Sequence, residues 1–293
     1  MTEKALMESV LKRDRIVVSV ALVVVIAAGW AYVLTGAGMG MSAAEMSSLS
    51  LALGGGAGVA DTMMGDAMEA MVTPAVWSPG YAILIASMWW VMMIAMMLPS
   101  AAPMILLHAR VVRRGAPDGD AGTSVLFETA AFTFGYLGAW GGFAIAAAAL
   151  QYGFEAAGIL SPVMLNSTNA LFAGAILIFA GLYQLTPVKQ ACLRHCRSPI
   201  SFLSRHWRPG AGGAFAMGIH HGAYCLGCCW GLMVILFFGG VMNLYWIVGL
   251  AVIVLVEKVL PVGPRLGQAI GGLLLVWGAG FVAVFAATLV GAT

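Results

Sequence analysis

The chain has 293 residues, of which 61% are hydrophobic and only 9% charged, with a formal net charge of +2 and a mean hydropathy of +0.96. Water-soluble domains carry about 25% charged residues, so this composition excludes one, along with a disordered chain or a disulfide-stapled secreted scaffold. The small net charge offers nothing to nucleic acid, and the remaining class is an all-α polytopic membrane protein whose first partner is lipid.

A spanning helix needs about 20 mostly apolar residues. Seven segments qualify on hydropathy: 16–36, 81–108, 125–151, 167–185, 213–238, 243–256 and 267–290, the sixth being the shortest. The 14 Lys and Arg fall in four places: before span one, and between spans two and three, four and five, and six and seven. All therefore lie on one side, which predicts a cytoplasmic N-terminus and an external C-terminus. This topology divides the chain into a basic segment with the first helix (1–36), an external Met-rich loop (37–78) and a six-helix membrane domain (79–293). A basic stretch before span one also suits a signal peptide. However, the apolar run is long and no clear small-x-small site comes after it, so a retained helix is expected. There is no Gly-rich phosphate loop ending in Lys-Ser/Thr and no Gly-x-Gly-x-x-Gly fingerprint.

Methionine is the compositional anomaly. Seven of the 19 lie in the external loop, and Met64, Met68 and Met71 share one face if that stretch is helical. Thioethers are soft, neutral ligands suited to Cu(I), although Met also serves as adaptable filler. Span two carries six more. Met88, Met92 and Met96 form one line and Met93 with Met97 the adjacent one, followed by Pro99 and Pro103, which leave backbone carbonyls without their usual donors. Between spans four and five, Cys192, His195 and Cys196 would share one helical turn. The cytoplasm would keep those thiols reduced; the alternative is an amphipathic surface helix with incidental thiols.

Span five holds the densest constellation. His221, Cys225, Cys228 and Cys229 lie along one helical face, Met217 extends the line, and His220 is a second candidate imidazole. Polar groups at membrane depth are costly, so a functional role is the default. Thiolate plus imidazole selects Cu(I), with zinc second, and argues against Mg or Ca. Gly222 and Gly227 would let the Met face of span two approach. His108 and His206 sit at span edges and read as interfacial.

Three stretches together are distinctive: Trp90 with Ala95-Met96-Met97-Leu98-Pro99-Ser100; Leu185-Thr186-Pro187 with Cys192 and Cys196-Arg197-Ser198-Pro199; and His221-Gly222 with Tyr224-Cys225 and Gly227-Cys228-Cys229-Trp230. They resemble a bacterial family described as predicted metal-binding integral membrane proteins, some with a proposed role as copper chaperones to a copper enzyme. The resemblance covers roughly residues 80 to 290 and implies metal handling in the bacterial inner membrane. The leading expectation is a non-enzymatic Cu(I)-binding protein relaying copper to a copper-enzyme client or a periplasmic carrier. Its three stations would be Cys192/His195/Cys196, the span-five cluster facing Met92, Met93, Met96 and Met97, and the external Met loop. The alternatives are a membrane thiol oxidoreductase centred on Cys225, Cys228 and Cys229, and an accessory or assembly subunit of a larger membrane complex.

Overall fold

The computed structural model describes residues 3–37, 42–45, 47–48, 77–115, 121–160 and 170–291. These residues are almost entirely helical: α1 (Glu3–Leu34), α2 (Pro79–Gly115), α3 (Ala121–Ala156), α4 (Ala170–Leu185), α5 (Pro187–Arg197), α6 (Pro199–His206), α7 (Gly210–Met233), α8 (Leu236–Gly239), α9 (Leu244–Val259) and α10 (Gly263–Gly291). Met64, Met68 and Met71 lie outside the described residues.

Among the described residues, five helices are long and apolar enough to cross a membrane: Arg15–Leu34, Pro79–Gly115, Ser124–Ala156, Gly210–Gly239 and Gly263–Val290. A sixth span results if α4 and α5, bent by 62°, are one broken crossing. The segment expected at 243–256 is α9, a helix of 16 residues, which is shorter than a full crossing requires. Asn243 caps its start by accepting from the Tyr245 amide at 3.1 Å. Pro261 ends it by holding Leu260 in extended backbone. Large apolar side chains such as Ile83, Phe127 and Val276 are exposed around an equally apolar core, a surface that lipid solvates and water does not.

Small residues set the helix spacing. A side chain at Gly218 would collide with the Phe132 carbonyl, and one at Gly222 would come within 2.6 Å of Ala139, so α7 lies against α3. Gly174 and Gly181 of α4 meet Gly278 and Gly271 of α10 in the same way. The glycines of α7 thus admit α3, and a side chain at Gly227 would come within 2.8 Å of the Cys192 thiol. Neither Gly222 nor Gly227 serves the approach of α2 expected from the sequence.

The stretch between the fourth and fifth expected spans is not a loop. Thr186 accepts from the Lys189 amide at 3.3 Å, and Pro187 occupies the first helical position, where a missing N–H costs nothing. Together they start α5. From there α5 and α6 run back along α7: Cys192 lies at Gly227, His195 stacks on Tyr224, and Phe202 meets His221. The first two expected stations are therefore one region.

Candidate metal centre

Cys225 lies at the middle of that region, and its Sγ receives a hydrogen bond from Lys258 Nζ at 2.8 Å. The Tyr136 hydroxyl is 3.0 Å from the same sulfur and also donates to the Met97 carbonyl at 3.2 Å. One turn on, the thiols of Cys228 and Cys229 both donate to the Cys225 carbonyl, at 3.1 and 2.9 Å. This back-bonding is open to small side chains three and four residues along a helix. All three thiols are buried.

Two further sulfurs arrive from other helices. Cys196 Sγ of α5 lies 3.9 Å from Cys228 Sγ, and Met97 Sδ of α2 lies 3.9 Å from Cys229 Sγ. A sulfur–metal bond is on the order of 2.3 Å, taking zinc as the guide. Two sulfurs sharing one ion therefore stand about 3.8 Å apart at a tetrahedral angle and about 4.6 Å apart in a line, and both pairs at 3.9 Å fall within that range. All five cysteines are free thiols. Among the described residues no three His, Cys, Asp or Glu side chains converge on one point; sulfur meets sulfur in pairs, and thioether completes what thiol does not.

The remaining expected residues divide clearly. His221 is buried among Phe132, Tyr136 and Phe202, and its Nδ1 has no hydrogen-bond partner. His220 lies against His206 at a ring-centroid distance of 4.6 Å, with Tyr224 and Phe202 also beside it. His195 stacks on Tyr224 at 4.3 Å with its Nδ1 on the Ala191 carbonyl. Met92, Met93 and Met96 are buried in apolar packing, whereas Met97 of the same stripe turns its sulfur to a thiol.

The polar frame of the site is absent from the sequence-based expectation. Lys258, which a count of basic residues places in a loop, is buried and also donates to Ser100 Oγ at 3.1 Å. Ser100 in turn donates to the Met97 carbonyl at 2.8 Å. Beside it, Lys189, fully buried, holds both oxygens of Glu257 at 2.9 and 2.7 Å. Gln184 donates to the same carboxylate at 3.0 Å and accepts from Lys189. The available signal was Glu257-Lys258 closing an apolar run, since charges attached to a membrane helix are functional candidates by default.

The described residues are almost entirely helical, with long apolar helices around a thiol-lined interior, and thiolates are ligands for soft metals rather than hard ones. A match over residues 86–281 to the family described as PpoB2, copper chaperone, makes the assignment: the chain belongs to that family. Comparison with curated proteins and with solved structures gives no match in either.

Proposed function

We propose that this protein binds Cu(I) in the bacterial inner membrane and relays it to a copper enzyme or a periplasmic carrier, without catalysing a reaction of its own. The observation that carries this reading is the pairing of sulfurs from separate helices, Cys196 with Cys228 and Met97 with Cys229, on either side of Cys225. Cu(I) is soft and accepts few ligands, so paired thiolates and a thioether suit it. Sites of two or three sulfurs also release metal more readily than a closed four-ligand zinc site does. Copper held by two thiolates carries a net negative charge, which Lys258 offsets where water cannot. Met64, Met68 and Met71 would serve as external ligands, with the N-terminus cytoplasmic and the C-terminus outside.

Metal analysis with X-ray absorption on detergent-purified protein tests this. The expected result is copper in a sulfur-dominated shell. A protein that takes up no copper while its thiols cycle to disulfides would favour the oxidoreductase. One that does neither would favour the assembly subunit.

A further inference from the structure

Towards the start of α7, α6 and α7 enclose an open groove of about 400 Å³ lined by Arg205, His206, Arg208, Met217 and His220, among others. The thiol site makes no use of it. The two imidazole rings lie 4.6 Å apart between centroids, at 85° to one another. His206 has its Nδ1 3.1 Å from the Phe202 carbonyl, so Nδ1–H donates there and the lone pair of Nε2 is left available. That backbone bond is the arrangement by which proteins orient metal-ligating histidines. Phe202 stacks on the His206 ring at 4.8 Å and fixes its plane. His220 is exposed, and its χ2 has a broad, roughly two-fold range within which the ring can turn its own nitrogen toward His206. Met217, one turn earlier on α7, is buried and also lines the groove.

We propose that His206 and His220, with the Met217 thioether, form a second Cu(I) site at which the ion is received before it reaches the thiols of α7. This site rests on the copper-relay function proposed for the protein. The chemistry of the lining selects the ion. Two imidazoles and a thioether are neutral and borderline to soft, a donor set for Cu(I). The groove lining contains no carboxylate to favour a hard dication. Arg205 and Arg208 stand in the same lining, and Coulomb repulsion by them is twice as large for Zn(II) or Cu(II) as for Cu(I). His221, buried with Nδ1 unpartnered, follows His220 in the chain, and Cys225 is one helical turn further, so the groove lies at the end of α7 from which the thiol line starts.

The test is full-length protein in detergent with Cys192, Cys196, Cys225, Cys228 and Cys229 all changed to Ser, titrated with Cu(I) against a competing chelator. About one equivalent should remain, with an X-ray absorption shell of two nitrogens and one sulfur. Adding His206→Ala and His220→Ala should abolish it, and Zn(II) should not compete. A folded five-Ser protein that binds no copper, or binds it equally without the two histidines, overturns the proposal. If the five-Ser protein does not fold, His206→Ala/His220→Ala is made with all thiols intact. Loss of one equivalent and of the nitrogen scattering is then expected, and unchanged stoichiometry and shell would overturn it. Sulfur-bound copper alone in the native protein removes this site and leaves the copper-relay function standing. Native protein that takes up no copper removes that function instead.

Discussion

Two ammonium groups are buried within the same junction of α5, α7 and α9, and they are neutralised in different ways. Lys189 faces a carboxylate, with both Glu257 oxygens in reach and Gln184 completing the set. Lys258, the next residue after Glu257, faces a thiol and a hydroxyl, Cys225 and Ser100. The first arrangement closes on itself. The pair ties α5 to α9, an attachment reinforced by Arg197, which donates to the Glu257 and Leu260 carbonyls at 2.7 Å each. It thereby fixes where Cys196 stands against Cys228. The second arrangement is open, because its partner is a sulfur that a metal can claim. The two lysines would thus divide the labour under the proposed function: one holds the frame, and the other would supply charge to an ion held by the thiols.

Breaking the closed pair should have the largest effect. Lys189→Met leaves Glu257 with no countercharge. An ordinary carboxyl, titrating near pH ~4.3, costs about 3.7 kcal/mol to neutralise at pH 7. Removing one partner of a buried pair typically costs about 3–5 kcal/mol, so a severe loss of folded protein is expected in a detergent melt. Adding Glu257→Gln should restore most of it, since Gln184 keeps an acceptor and no charge remains stranded. A single variant as stable as the parent would show that the pair does not hold the frame.

Next comes Cys225→Ser. A hydroxyl is a hard, neutral ligand and does not replace a thiolate for a soft ion. Copper affinity should fall by at least about 100-fold, more than loss of an outer-shell partner usually costs, with insertion into the membrane preserved because Ser is tolerated in membrane helices. Lys258→Met should be milder and should affect binding rather than folding. An ordinary thiol titrates near pH ~8.5 and is already neutral at pH 7, so Cys225 is not stranded as Glu257 would be. The melt should move little. Copper affinity should drop about 10–100-fold, the range for losing an outer-shell partner. Equal destabilisation by Lys258→Met and Lys189→Met would erase the division of labour.

Only part of this contrast is legible in the chain. The helices and their apolar character are, because a run of some 20 apolar residues has few other fates. The thiol line on α7 is too, because helical spacing fixes which residues share a face. The partners of that line are not. Tyr136 lies 89 positions from Cys225 and Lys258 lies 33 away, while Ser100 joins through Lys258 across 158 positions, and no local pattern connects them. Lys189 and Lys258 pass for loop cations because counting basic residues ignores where a long side chain turns. Cys192 and Cys196 read as a separate cytoplasmic station because nothing local in Thr186-Pro187 states that the helix it starts folds back along α7. His220 and His221 are adjacent in sequence, yet only the packing of α6 shows that Phe202 lies against both and His206 against His220.

The smallest expected effect is the most discriminating. Ser100→Ala removes the second anchor of Lys258 and leaves its charge and its contact with Cys225 in place. The Met97 carbonyl, to which Ser100 donates, keeps the Tyr136 hydroxyl at 3.2 Å, so no buried acceptor is orphaned. A hydrogen bond to a charged group contributes about 1.5–3 kcal/mol net, and it bears on folding more than on copper because the ammonium keeps its contact with Cys225. If Lys258 acts through its charge, Coulomb attraction falls only gradually with distance and a slight drift of the ammonium changes little. Copper affinity should then fall clearly less than in Lys258→Met, with the sulfur shell in X-ray absorption unaltered. If Ser100→Ala weakens copper as much as Lys258→Met does, the position of the ammonium matters rather than its charge. In that case the open pair is a positioning device, as the closed one is.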